Sequence, residues 1–326
     1  MNQLPPLDLG TLVTQSQARV VPLAAAGLAA AGYLVAARRP GKSWPRHRTA
    51  AFLAGLAVLL VATCSGIEAY GRVLQWVHMI EHLLLIMVAP VLLAVGSPVQ
   101  LLRDRLPARA GARLDAVLDR PVVGWLLSPV AAALAYAVAV VGVHLTGLLA
   151  RAMTGPVVHG TEELVYLAAG FLLFQLTFGV RPGPWQLTPP GRLALLVFVT
   201  PVDTVVGFVL LQTGTVQANL AHAAHDAGPR PDWALSPATD TAAAGTTMWI
   251  GGTGIMALLL MIVGLTWLHG RAPARDRPGW ADRARAETLA AHTGGSADAD
   301  ADSDDALRAY NDYLARLAES ERRGRG

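Results

Sequence analysis

The chain has 326 residues, of which 53% are hydrophobic and 15% charged, where soluble domains carry about a quarter charged residues; mean hydropathy is +0.42. This argues against a disordered chain and against a soluble enzyme, and the single cysteine, Cys64, excludes a disulfide framework and any multi-cysteine zinc or iron–sulfur site. A net charge of +3 does not imply nucleic acid as a partner, because the basic residues sit in short segments between apolar runs, and no GxxxxGK(S/T) loop points to nucleotide hydrolysis.

A membrane-spanning helix needs about 20 mostly apolar residues, and seven stretches qualify: 20–37, 49–67, 73–93, 125–150, 157–180, 193–212 and 242–268. The expected fold is all-α and polytopic, with seven transmembrane helices in residues 1–270. The first stretch does not read as a cleaved signal peptide, because it lacks a basic leader and runs into Arg38 and Arg39. Arg38, Arg39, Lys42, Arg46 and Arg48 follow stretch one. Arg103, Arg105, Arg109, Arg113 and Arg120 follow stretch three, and Arg181 and Arg192 follow stretch five. The alternate segments hold only Arg19, Arg72, Arg151 and Arg230. Positive residues stay cytoplasmic, so the N-terminus is expected outside and the C-terminus inside. Residues 271–326 form an expected cytoplasmic tail. It has an acidic low-complexity linker over 293–305 and a short amphipathic helix over 306–322, on which Leu307, Tyr310, Leu314 and Leu317 recur at helical spacing.

Ionisable groups in the apolar interior cost about 2.5–3.5 kcal/mol or more each, so those that persist need a reason. Gln75, His78, Glu81 and His82 near the outer end of stretch three fall within an arc of about 120°. His78 and His82 lie four apart, about 6 Å in rise, a spacing that suits two imidazoles gripping one metal ion and equally allows structural packing. His144 ends stretch four. Stretch five opens with His159, Glu162, Glu163 and Tyr166, whose acids would also suit a helix N-terminus. His222, His225 and Asp226 lie in the outer loop before stretch seven, where Met248 sits, and Cys64 closes stretch two. Six of the nine histidines thus gather on one side. Imidazole suits zinc, copper, iron and nickel, and the His, Met and Cys mixture fits copper best. Glu81 or Glu162 would orient the imidazoles. Asp203, deeper and beside Pro201, reads as a helix-pairing or proton site.

The run His78-Met79-Ile80-Glu81-His82-Leu83-Leu84-Leu85, followed by Pro90 and Gly96-Ser97-Pro98, resembles the HMxxHLLL…P…GxP signature of the multi-pass CtaG family of bacterial cytochrome c oxidase assembly factors. His144 is similar to that family's histidine at the outer end of the fourth span. His159 and Glu162 resemble its HxxEH element, with Glu163 in place of the second histidine. Asp240, Gly245, Met248 and Trp249 resemble its DQQxGGxxMW element, with Thr241 and Ala242 in place of the glutamines. The resemblance covers residues 20 to 270. It implies a non-enzymatic plasma-membrane protein that binds copper on the outer side through His78, His82, His144, His159, Glu163 and Met248, and hands it to an oxidase subunit; His222 and His225, in an outer loop particular to this chain, join the expected ligands on their spacing of three. A haem-binding cytochrome, with His144 opposite His78 or His159, and a metal permease are the alternatives.

Overall fold

The computed structural model describes residues 4–39, 43–146, 155–180, 185–224 and 231–269, with side chains as far as Gln212 in the helix that continues to Ala224. Among these residues the chain is helical, without strands. A short α1 (Leu9–Thr14) precedes α2 (Val20–Arg38) and α3 (Arg46–Cys64). Then come α4 (Gly66–Gly71), α5 (Gln75–Leu83), a π-helical turn (Leu84–Val88) and α6 (Ala89–Gly96). Helices α7 (Pro98–Arg105), α8 (Ala108–Leu118) and α9 (Pro121–Leu126) lead to α10 (Pro129–His144), α11 (Pro156–Phe178) and α12 (Pro189–Ala224). The described chain closes with α13 (Pro237–Thr246), a second π-helical turn (Thr247–Gly251) and α14 (Gly252–His269). The chain divides into units Met1–Gly264 and Leu265–Gly326; the site described below lies within the first. The expected acidic linker and tail helix lie outside the described residues.

Among the described residues, six helical segments are long and apolar enough to cross a membrane: Val20–Arg38, Arg46–Cys64, Gln75–Arg105, Pro156–Phe178, Pro189–Gln212 and Pro237–His269. The chain is a multi-pass membrane protein. The expected span over 125–150 begins later than the hydropathy suggests. Ser128 caps α10 by accepting the N–H of Ala131 at 3.1 Å, and Pro129 sets the first turn, so Trp125 falls in the preceding α9. What remains described of that apolar run is the 16-residue α10. Span two likewise ends at Cys64, because the Ser65 hydroxyl accepts the N–H of Ile67 at 3.1 Å and starts a new helix.

The run from α5 to α7 is the central strut. Its apolar window is 67% buried, against 11% for α2. Around α5 and α6 pack α3, α11 and α13, with α10 bridging α11 and α12. Pro90 supplies no N–H to the carbonyl of Ile86, four residues earlier. That carbonyl meets Gly170 of α11, where an added Cβ would lie 2.0 Å from the Ile86 oxygen. Glycine is what lets these two backbones touch. A similar contact joins α12 to α13, where a Cβ on Gly207 would lie 2.8 Å from the carbonyl of Gly245. The main core between these helices holds Tyr136, Leu85, Ile86, Leu173, Phe174, Leu196, Leu210 and Met248.

At the end of the bundle where α4 joins α5, the N-terminal segment folds over α4. Tyr70 donates its hydroxyl hydrogen to the Pro5 carbonyl at 2.8 Å, Trp233 donates to Leu4 at 2.9 Å, and the Gln17 N–H donates to Cys64 at 2.9 Å. Tyr70, Leu74 and Val77 pack there against Leu4, Leu7, Leu12 and Trp233.

Candidate metal centre

The polar residues of α5 are fixed from the far end of the chain. Asp240, 2% exposed, accepts the N–H groups of Gln75 and Trp76 at 2.9 and 3.1 Å. It thereby caps α5, whose own preceding residue, Leu74, offers no side-chain cap. Thr241 donates to the Gln75 side-chain oxygen at 2.8 Å. With its start pinned, α5 directs His78, Glu81 and His82 toward α11 and α4. Gly71 permits the close approach of α4, since a Cβ there would lie 3.3 Å from a Glu81 oxygen.

The inner part of the cluster is His78, His82 and Glu162, all buried, with one ligand atom from each lying within 4.8 Å of the others. The imidazole centroids of His78 and His82 are 4.1 Å apart. Glu162 on α11 places its oxygens 3.7 Å from His78 Nε2 and 3.1 Å from His82 Nε2. The hydrogen-bond network assigns the tautomers. His144 Nδ1 donates to the Val140 carbonyl at 2.8 Å, which leaves its Nε2 as an acceptor for His82 Nδ1–H at 3.1 Å. His82 Nε2 is then a lone-pair atom facing a carboxylate oxygen. Two acceptors so placed repel each other unless a proton or metal cation lies between them. His78 Nε2, His82 Nε2 and both Glu162 oxygens are buried without a hydrogen-bond partner, a condition that native proteins reserve for groups with a particular role, the holding of water or an ion among them. The donor set of two imidazoles and one carboxylate therefore fits a transition-metal cation. Tyr166 stacks on the His82 ring at 4.4 Å, its hydroxyl lies 3.2 Å from His144 Nδ1, and the Met79 sulfur lies 3.1 Å from His144 Nε2. These contacts lock the orientation of His82.

The outer part is Glu68, Glu81, His159 and Glu163, also buried and also within 4.8 Å of one another by one ligand atom each. His159 Nε2 lies 2.7 Å from Glu68, 3.3 Å from Glu81 and 3.4 Å from Glu163. Its Nδ1 lies 3.5 Å from Glu162, which joins the two parts. Arg19 forks onto Glu163 through both guanidinium nitrogens and lies 3.5 Å from Glu68. Arg72 donates to Glu68 at 2.6 and 3.1 Å. Glu68 lies outside the membrane-crossing helices. Burial alone would raise its pKa, but the hydrogen bonds from His159 and Arg72 hold it below the usual carboxylate value. Partial burial pulls the Arg19 guanidinium down, and Glu163 and Glu68 more than reverse that.

The structure brings together His78, His82, His144, His159 and Glu163. Met248 sits elsewhere, fully buried in the main apolar core on the second π-helical turn. The side chain of His222, and His225 altogether, lie outside the described residues. Cys64 is partly exposed, with its sulfur 3.6 Å from the Thr63 hydroxyl. Asp203 pairs with another helix: Tyr136 on α10 donates to it at 2.9 Å. Sequence reasoning treated Glu81 and Glu162 only as orienting groups and missed Glu68, Met79, Arg19 and the capping role of Asp240. Glu68 falls one residue past the expected end of a span, where a lone acid gives no signal in hydropathy.

The chain belongs to the cytochrome c oxidase caa3 assembly factor family, whose description matches residues 30–270. It is similar to uncharacterized proteins of Mycobacterium bovis and Mycobacterium tuberculosis, each 31% identical over 301 residues, which cover 90% of this chain and 42% of theirs. An uncharacterized protein of Mycobacterium leprae is 27% identical over 298 residues, covering 88% of this chain and 42% of its own. The chain thus spans about two fifths of the length of these relatives. No solved structure matches it.

Proposed function

We propose that this protein takes up copper as cargo on the extracytoplasmic side of the bacterial plasma membrane and assists its delivery to cytochrome c oxidase. The observation that carries this reading is the facing pair of acceptors, His82 Nε2 and a Glu162 oxygen at 3.1 Å, beside the unpartnered His78 Nε2. Imidazole serves several metals, and the family's tie to the oxidase selects copper among them. The task is binding and transfer rather than turnover. Helix α10 acts as a seventh span: its 16 residues reach about 24 Å, most of a hydrocarbon core of about 30 Å. The distribution of arginines then puts the N-terminus outside, the C-terminus in the cytoplasm and the histidine cluster at the outer leaflet.

The alternative is a haem held by His144 with His78 or His159. Against it, both His144 ring nitrogens are engaged, Nδ1 by the Val140 carbonyl and Nε2 by His82 Nδ1, so His144 offers no free axial ligand in this arrangement. The test is the metal content of the detergent-purified chain against His78→Ala/His82→Ala, with an absorption spectrum of each. Near-stoichiometric copper in the wild type, lost in the double variant, with no Soret band, is the expected result. A Soret band, or equal copper in both proteins, refutes the reading.

A further inference from the structure

Glu81 is the least explained charge in the molecule. It is fully buried, neither of its oxygens has a hydrogen-bond partner, and its ion-pair contacts among the described residues are with the imidazoles of His78 and His159. Neither guanidinium of the outer group forms a salt bridge with it: Arg72 lies on Glu68, and Arg19 lies on Glu163 and Glu68. The outer group therefore sets three carboxylates against two guanidinium ions and the single imidazole of His159, which the three share; of the guanidinium ions, Arg19 is 22% exposed at the side chain and belongs to the non-helical segment just before α2. Buried carboxylates are tolerated when paired or when they coordinate a cation. Arg19 places its positive charge among oxygens that would otherwise serve as ligands.

We propose that Glu68, Glu81, His159 and Glu163 form a second divalent-metal site, adjoining the His78–His82–Glu162 site, and that Arg19 masks it by occupying the cation position. The inference rests on the reading of the cluster as metal-handling. Glu162 and His159, 3.5 Å apart, form the wall between the two compartments, so an ion admitted when Arg19 swings away lies next to the inner imidazoles. The outer compartment, richer in oxygen ligands, is the harder of the two and binds the exchangeable ion. The inner compartment, with two imidazoles, holds its ion more tightly.

The test counts bound ions per chain by equilibrium dialysis of the whole 326-residue chain in detergent against Cu(II) ions alone. The wild type and Arg19→Lys, which keeps the charge, are expected to hold one ion. Arg19→Met and Arg19→Gln are expected to hold two, Arg19→Met/Glu68→Gln/Glu163→Gln one, and Arg19→Met/His78→Ala/His82→Ala one. A native-like helical spectrum with a single ion in both Arg19→Met and Arg19→Gln overturns the second site. A second ion in Arg19→Lys overturns masking by charge. A wild type that binds no copper refutes the copper function, and the second site is then decided separately by the triple variant that lacks both inner histidines: one ion supports it and none overturns it.

Discussion

Asp240→Ala removes the cap that the last helical region lends to α5. In the wild type the carboxylate accepts two backbone N–H groups, from Gln75 at 2.9 Å and Trp76 at 3.1 Å. Gln75 is buried, so its orphaned donor costs roughly 1–3 kcal/mol. Trp76 is only partly buried and water recovers some of its loss, which leaves about 1 kcal/mol there. The expected total is about 2–4 kcal/mol, at or above the top of the range of about 0.5–2 kcal/mol for a lost helix cap, because two donors are orphaned. Asp240→Asn keeps one acceptor oxygen and should cost about half as much. Unfolding in mixed detergent measures the global change, and amide hydrogen exchange localises it. Exchange at Trp76 to Glu81 should accelerate in Asp240→Ala, while α11 stays protected. An Asp240→Ala protein within about 0.5 kcal/mol of wild type, with unchanged exchange in the first turn of α5, would show that the cap does not hold the helix.

Gly170→Ala is expected to destabilise by about 3 kcal/mol or more, because the new methyl would lie 2.0 Å from the Ile86 oxygen and 2.8 Å from Pro90 Cγ; a thermal midpoint within a degree or two of wild type contradicts this. For Glu68 the folded pKa is depressed below the ordinary 4.5, so its contribution is fully present above that value and is lost as pH falls from it toward the folded pKa. Stability against pH should therefore drop on the acid side in the wild type and be flatter in Glu68→Gln, which lacks the titrating group; parallel curves refute the assignment.

Much of the frame was legible because a bilayer imposes a length on any apolar helix, and the runs at 20–37, 157–180 and 242–268 have no competing explanation. The boundaries were less legible where a local cap overrides hydropathy. Ser128 with Pro129, and Ser65 alone, restart a helix inside a continuous apolar run, and a hydropathy reading passes over both. The candidate site was half legible. His78, His82 and His159 stand out as ionisable residues in apolar surroundings. Met248 was carried by its motif, and the fold places it in the apolar core. Arg19, Glu68 and Asp240 sit just outside the expected spans, where a charge costs little and so gives no sign of a structural role. Their roles come from cross-helix neighbours 144 and 165 residues away, a distance that no periodicity encodes.

The departure from the family pattern at position 163 is best understood from those neighbours. Glu162 and Glu163 are adjacent on α11 and so point about 100° apart, one into each compartment. Glu162 faces the imidazoles of His78 and His82, while Glu163 faces Arg19, which grips it with two nitrogens. A histidine at 163 has no pair of carboxylate oxygens to receive that fork, and it would leave Arg19 partly buried with only Glu68 and the Thr63 carbonyl nearby. Glutamate at this position and arginine at position 19 are therefore one arrangement. Together they set a closed ion pair beside His159 where the resemblance would put a further imidazole, while the unpartnered ring nitrogens of His78 and His82 lie in the inner compartment.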